Sequence, residues 1–350
     1  MLTLCTLFDH NYLDKGLAMY KSLEKVCDEF ELYVLAMNDK CYEILSALQC
    51  PHIKLIKLVD FEDEELLRVK PIRKVGEYCW TCSSSLIRYI LMKYKPEYCT
   101  YIDADMYFYS NPKVIIDEMN EKNASVQVIG HRFCRSEKKL REWIVGKYCV
   151  EFNTFKNDEN GLFLVNKWRD QCLECCSAID DGIHWGDQKY LDNWCEDYAF
   201  CEETELLGAG IAPWNISQYK YVSGSAENDL VVKCGRRKYP VIFYHYENIQ
   251  YITKNQIRIN VYSKLGIDDT LVNALYPHYL RVVDEQKNML KEKFGLDVLI
   301  LHHPGFEKRE KNKFSLSKLR NLMSPMKIRD YFKTKFYEFF LKTAKDVIDI

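Results

Sequence analysis

Through the first 130 positions, five short β-rich runs alternate with amphipathic stretches, and few architectures accommodate that pattern. The runs are Leu2–Phe8, Glu31–Met37, Ile53–Val59, Cys99–Ile102 and Ser125–Ile129. Between them, Tyr12–Val26, Lys40–Leu48 and Tyr78–Lys93 repeat apolar residues at helical spacing, as Leu13, Leu17, Tyr20 and Leu23 do in the first. Strands spaced by helices predict an α/β fold, a mostly parallel Rossmann-like sheet with helices on both faces. Ligands of such sheets bind beyond the carboxyl ends of the strands. Residues directly after strands are therefore the first candidates for chemistry.

Farther along, Cys149–Phe155 reads as a strand and Asn157–Cys176 as a helix, with a further helical stretch over His184–Trp194. Val241–Tyr246 is the last convincing strand, and the pattern turns helical from about Asn255. These readings divide the 350 residues into a main domain, 1–255, and a helical, basic and aromatic extension, 256–350. Phe306–Lys345 carries twelve Lys/Arg against four acids, interleaved with Phe, Tyr, Leu and Met. Such a segment is expected to rest on an anionic inner-membrane surface, or else to pack on the core with solvated lysines.

No run approaches the roughly 18 apolar residues of a spanning helix. The start, Met-Leu-Thr-Leu-Cys-Thr-Leu-Phe, lacks a basic region and a cleavage site and reads as a core strand. Together with fifteen cysteines, best taken as reduced thiols, this gives a cytoplasmic expectation. Cys79-x-x-Cys82 and Cys172-x-x-Cys175-Cys176 lack a second spaced pair, so structural zinc is not expected. The formal charge of -2 exerts no general pull on nucleic acid. Aromatics reach 14 %, which serves sugar sites and apolar cores alike.

Asp103-Ala104-Asp105 directly follows Cys-Thr-Tyr-Ile. Residues i and i+2 at a strand end share a side, so two carboxylates converge on one hard divalent cation, Mn²⁺ or Mg²⁺. A cation there would offset the charge of a departing diphosphate. The same triplet also occurs in solvated turns.

Ser84-Ser85-Leu86-Ile87-Arg88-Tyr89-Ile90-Leu91 together with Tyr101-Ile102-Asp103-Ala104-Asp105 resembles the core of glycosyltransferases with the GT-A fold, most of all the glycogenin and bacterial lipo-oligosaccharide galactosyltransferase group, family eight. Further blocks, Gly146-Lys147-Tyr148, Phe155–Asp158, Trp168–Cys172, Gly186–Asp192 and Ala212-Pro213-Trp214-Asn215, are similar to bacterial transferases of surface-polysaccharide assembly. The resemblance spans about residues 1–250 and implies a nucleotide-diphosphate sugar donor, a uridine one favoured. The implied acceptor is a saccharide or is lipid-linked, and the implied outcome is retention. It implies that Thr6, Phe8 and Asp9 hold the nucleoside, that Arg88 reaches the donor or the first Asp, and that His245 completes the metal set with Asp103 and Asp105. Ala104 belongs to the donor-binding run. Asp187 and Gln188 are implied beside the sugar and its anomeric carbon, and Trp214 and Asn215 as donor or acceptor contacts. An imidazole at the end of an apolar strand is also a competent Mn²⁺ ligand on its own chemistry, and Asp187 reads as a helix N-cap.

The similar family carries a Gly and a diphosphate-binding Lys after the His. Here the chain reads Glu247-Asn248-Ile249, with the next lysine at 254, so the diphosphate clamp is unassigned. Two other functions fit a nucleotide fold. A non-catalytic sugar-nucleotide-binding regulatory or scaffold protein has no need of the Asp103, Asp105 and His245 set. A nucleotidyltransferase needs a Gly-rich loop after the first strand, and Thr6–Lys15 supplies none.

Overall fold

The computed structural model describes residues 1–179, 182–253, 256–259, 266–298 and 347–349; the basic run 306–345 lies outside them. Strands are β1 Leu2–Phe8, β2 Phe30–Ala36, β3 Ile53–Lys57, β4 Tyr98–Ile102, β5 Met106–Phe108, β6 Val126–Gly130, β7 Tyr148–Lys156 and β8 Cys201–Glu203. Beyond them come β9 Tyr219–Ser225, β10 Asn228–Cys234, β11 Arg237–Pro240, β12 Phe243–His245, β13 Gln250–Thr253, β14 Gln256–Arg258 and β15 Val347–Asp349. Helices are α1 Leu13–Val26, α2 Asp39–Leu48, α3 Leu58–Phe61, α4 Glu64–Val69, α5 Val75–Tyr94, α6 Lys113–Glu121, α7 Lys138–Val145, α8 Glu159–Glu174, α9 Trp194–Asp197 and α10 Asp269–Phe294.

A seven-stranded sheet in the order β3-β2-β1-β4-β7-β6-β8 forms the centre. The first four strands in that order run parallel, whereas β7 pairs antiparallel with both β4 and β6. All seven residues of β1 are buried, as a central strand covered on both faces requires. The helices between these strands begin where the sequence offers caps. Asn38 accepts from the Cys41 amide at α2, and Asp158 accepts from the Gly161 amide at 2.8 Å at α8. Each such cap is worth about 1 kcal/mol.

The α/β sheet expected from the alternation is therefore present: six of its seven strands lie within two residues of the expected bounds, and the short edge strand β8 was not expected. The middle and end differ. His184–Trp194 holds only a 3-10 turn, Gln188–Leu191, and the start of the four-residue α9. Residues 219–240 form an antiparallel three-stranded sheet that hydrophobic periodicity did not mark, because its strands are largely exposed. The β13–β14 hairpin straddles position 255 and precedes α10. Leu290, Leu296 and Val298 pack in one core with Leu2, Leu4 and Leu17.

Much of the aromatic content is core. Tyr107, Tyr109, Tyr244, Tyr246, Tyr276 and Tyr279 gather where β5 and β12 meet α10. Tyr246 stacks on Tyr279 with centroids 3.7 Å apart, and the Tyr244 and Tyr276 hydroxyls hydrogen-bond at 2.8 Å. All fifteen cysteines are free thiols. Among the described residues, neither Cys-x-x-Cys run belongs to a cluster with metal-ligand spacing, and no helix is long and apolar enough to cross a membrane.

Candidate metal centre

Two strand pairings assemble the site. At the end of β4, Ile102 faces Phe152 of β7, and the Asp103 amide donates to the Glu151 carbonyl at 3.2 Å. The chain then turns through Asp103–Ala104–Asp105 into β5, which pairs antiparallel with β12 so that His245 faces Met106. The Tyr246 amide donates to the Asp105 carbonyl at 2.8 Å. This register carries the imidazole 140 residues along the chain to the acidic pair.

His245 Nε2 lies 3.0 Å from Asp105 Oδ1 and 3.7 Å from Asp103 Oδ2. The three residues offer ligand atoms within 4.8 Å of one another. On the other edge of the ring, Nδ1 lies 2.7 Å from Glu151 Oε2. Glu151 is fully buried and its second carboxylate oxygen has no hydrogen-bond partner. The edge-to-face contact of Trp214, with centroids 5.4 Å apart, further fixes the imidazole plane.

The electrostatics show an excess of acid. Burial pushes the Asp103 carboxyl up to about 8; His245 opposes this, and Asp105, Asp187 and Glu151 reinforce it. Burial works in the same direction on Asp105, but the charge and hydrogen bond of His245 prevail and hold it below the usual carboxylate range. For His245 burial is overruled by Asp105, and the imidazole is raised well above its ordinary value. Four carboxylates thus face one imidazole and Lys15, whose charge also reaches Asp105. A divalent cation fits this set by charge and by ligand chemistry: two carboxylate oxygens and one imidazole nitrogen suit Mn²⁺ or Mg²⁺.

The centre opens into a cavity of about 1390 Å³ beyond the carboxyl ends of β1 and β4. That exceeds the roughly 300–1,000 Å³ of a pocket for one drug-sized ligand. Phe8, Asp9, Asp103, Ala104, Asp105, Asp187, Gln188, Trp214 and His245 all line it. Asp9 also caps the turn after β1, accepting from the Asn11 amide at 2.9 Å. Asp187 accepts from Ser83 Oγ at 2.5 Å, and burial pushes its carboxyl up to about 7. It precedes the 3-10 turn but makes no side-chain cap. The Gln188 amide donates to the Val145 carbonyl at 2.6 Å.

Three candidates stand apart from the cavity wall. Thr6 is wholly buried within β1. Asn215 is an internal brace, receiving the Ala212 amide and donating to the carbonyls of His131 and Gly210. Arg88 hydrogen-bonds Asn166 on α8 at 2.6 Å instead of reaching the acidic pair. Five residues separate it from Ser83, which touches Asp187, and five residues rotate a helix by about 140° from one full turn. Arg88 therefore points to the neighbouring helix.

Residues that the sequence reading did not single out complete the site. Glu151 had a signal, an acid inside the apolar strand Cys-Val-Glu-Phe. Lys15, in the first turn of α1, lines the cavity with its ammonium 4.0 Å over the Tyr12 ring. Burial, and then Asp105 and Asp103, raise the Tyr12 hydroxyl above its usual range. His131 stacks on Phe133 with centroids 4.7 Å apart, and burial pushes it down to about 3, so it is neutral.

No known family profile matches the chain. It is similar to the uncharacterized protein YfnD of Bacillus subtilis (strain 168), 29 % identical over 288 residues, 80 % of this chain and 89 % of that one. A second uncharacterized protein of that strain, YfnF, is 27 % identical over 316 residues, covering 88 % and 98 %. Among solved structures, similarity extends to galactosyltransferase LgtC in complex with donor and acceptor sugar analogues, with a TM-score of 0.47, 11 % identity and coverage of 81 % and 96 %. Mouse xyloside xylosyltransferase 1 gives a TM-score of 0.44 with 12 % identity over 70 % and 97 %. The bifunctional glycosyltransferase WbbM gives 0.44 with 12 % identity over 81 % and 51 %.

Proposed function

We propose that this chain is a divalent-metal-dependent glycosyltransferase that moves a sugar from a nucleotide-diphosphate donor to a saccharide or lipid-linked acceptor, in cell-surface polysaccharide assembly. The observation that carries the reading is the meeting of Asp103, Asp105 and His245 on the wall of a cavity of about 1390 Å³. Those residues would hold Mn²⁺ or Mg²⁺, whose chemistry is to offset the charge of the departing diphosphate.

The chain's own groups account for the rest. Lys15 supplies a cation beside the N-terminus of α1, where the helix dipole also favours an anion, and takes the place of the clamp that Glu247-Asn248-Ile249 lacks. Phe8 and Asp9 border the nucleoside end, with a uridine base favoured by the sequence resemblance. Asp187 and Gln188 face the sugar, and Asp187, with its carboxyl near 7, exchanges hydrogen bonds with sugar hydroxyls as donor or acceptor. Trp214 has an unpartnered indole N–H at the cavity wall, which a substrate oxygen would satisfy. In the transfer, the bond from the anomeric carbon to the diphosphate oxygen breaks and a bond to the acceptor oxygen forms. The acceptor's hydroxyl proton leaves with the diphosphate. Retention of anomeric configuration follows the resemblance, and proton NMR of the first-formed product tests it: a β-linkage from an α-donor rejects retention.

The defining test is a thermal-shift panel of nucleotide sugars with Mn²⁺ and with chelator. One donor stabilises the protein, the chelator abolishes the shift, and Asp105→Ala behaves like the chelated protein. Full stabilisation by a donor with chelator present overturns the reading. Release of nucleoside diphosphate, not pyrophosphate, separates the reaction from nucleotidyl transfer.

A further inference from the structure

Five of the fourteen large hydrophobic side chains exposed among the described residues gather at one place, the mouth of the cavity. Val75, Trp80 and Leu140 line the cavity and are 77 %, 38 % and 48 % exposed. Trp143 and Ile183, at 47 % and 65 %, extend the same rim outward. The pieces are contiguous. A methyl on Gly182 would meet the Trp143 indole at 2.7 Å, and one on Gly186 would meet the Trp80 ring at 3.3 Å. Gln188 and Lys189 tie this loop to α7 through the carbonyls of Val145 and Glu142, each at 2.6 Å. The eight-residue α7 buries none of its residues, so it lies on the surface and carries Leu140 and Trp143 outward.

Charge brackets this apolar rim. Residues 70–77 and 135–145 hold seven Lys/Arg against three acids, and Asp180 and Asp181 of the adjoining sequence raise the acids only to five. Lys74, Arg135, Lys138 and Lys139 are exposed. A soluble-protein surface rarely groups apolar side chains this way around a site without a partner. A short surface helix with Leu and Trp outward and lysines alongside matches the chemistry of an anionic bilayer interface.

We infer that the cavity mouth, formed by the start of α5, α7 and the loop Gly182–Gln188, docks on the anionic face of a phospholipid bilayer. The surface is separate in sequence from the basic run 306–345. A consequence that rests on the glycosyltransferase reading is that the acceptor reaches the cavity from the membrane and carries an apolar anchor.

The test uses the full chain with vesicles of phosphatidylglycerol mixed with phosphatidylcholine, against vesicles of phosphatidylcholine alone. Wild type co-sediments with the anionic vesicles and is released by salt. Lys138→Glu with Lys139→Glu lowers that partition by about five-fold for each cation removed. Trp143→Ser with Ile183→Ser lowers it by about ten-fold with the 306–345 run intact. Melting temperature and binding of Mn²⁺ with uridine diphosphate are measured on each variant; if a double variant melts early, Lys139→Glu or Ile183→Ser alone replaces it. Unchanged partition of the folded rim variants overturns the docking surface, as does failure of wild type to sediment. A wild-type dimer dispersed by Trp143→Ser with Ile183→Ser overturns it too, because the rim then seats a second copy. Nucleotide binding that persists while vesicle binding fails leaves the enzyme assignment standing and removes only the membrane.

Discussion

Glu151→Ala isolates the part of the candidate metal centre that lies outside the Asp103, Asp105 and His245 set. The carboxylate lies 2.7 Å from His245 Nδ1, on the far side of the ring from Asp103 and Asp105. Asp105 favours the imidazolium without a metal; a bound cation would displace the Nε2 proton, and Glu151, accepting from Nδ1–H, would hold the tautomer whose Nε2 lone pair faces the acidic pair. Removing the carboxylate leaves a buried Nδ1–H without an acceptor, a cost of about 1–3 kcal/mol. It also frees the ring to rotate, although Trp214 still restrains one face. Loss of such an outer partner weakens metal affinity by about 10–100-fold, equivalent to about 1.4–2.7 kcal/mol. Glu151→Gln keeps an amide oxygen for Nδ1–H, so it should recover most of the affinity while lacking the negative charge. Titration of Mn²⁺ followed by the electron paramagnetic resonance of the free ion measures this without turnover. The expected order of affinity is wild type, then Glu151→Gln, then Glu151→Ala. Equal Mn²⁺ affinity in all three, each folded by its melting temperature, would refute the argument that the carboxylate orients the ligand.

Other outcomes follow from neighbouring groups. Lys15→Ala should weaken uridine diphosphate binding by about ten-fold or more, the loss of one charge-assisted contact, while Mn²⁺ affinity measured alone falls far less. Asp187 has a carboxyl raised by burial to about 7, so the folded state holds its proton more tightly than the unfolded chain. The resulting stabilisation is complete below about pH 4 and is lost as pH rises through 7, amounting to at most about 4 kcal/mol. Asp187→Asn should therefore melt higher than wild type at pH 8 in chelator, match it near pH 4, and transfer sugar poorly; equal melting at pH 8 rejects the buried-acid account. Gly210→Ala places a methyl 2.6 Å from Ile129 and 2.8 Å from Glu151 Oε1 at a backbone φ of +71°. Its expected cost is about 3 kcal/mol, read from denaturant melts, with a parallel loss of Mn²⁺ affinity.

What the sequence disclosed tracks what is local. β1, β2 and β4 were legible because short, mostly apolar, β-rich runs alternate there with amphipathic stretches. The convergence of the Asp103 and Asp105 carboxylates was legible because it depends only on i, i+2 spacing at a strand end. The β9–β11 sheet was not, since its exposed, charged strands carry no periodic signal. Arg88 was placed at the site by its position in a motif, yet helix phase alone directs it to Asn166. The expected helix at His184–Trp194 shrank to two short turns because Gly186, at φ +57°, and the Ser83–Asp187 bond hold that stretch against α5.

His245 and Glu151 belong to a different category, since each becomes a site residue only through pairing register. A slip of one position in β5–β12 would turn the imidazole to the opposite face of the strand. The register is set by Phe243 against Phe108 and Tyr244 against Tyr107, side chains wholly committed to the core. The Tyr cluster on α10 locks it further through the Tyr244–Tyr276 hydrogen bond. Packing between side chains more than a hundred residues apart in sequence therefore decides whether the imidazole reaches the acidic pair. A core substitution such as Tyr276→Phe, which removes that hydrogen bond and keeps the ring, should lower Mn²⁺ affinity by a smaller factor than Glu151→Ala, with no change in any ligand. If Mn²⁺ binding is untouched by Tyr276→Phe even as the melting temperature falls, the register is held by the strands alone.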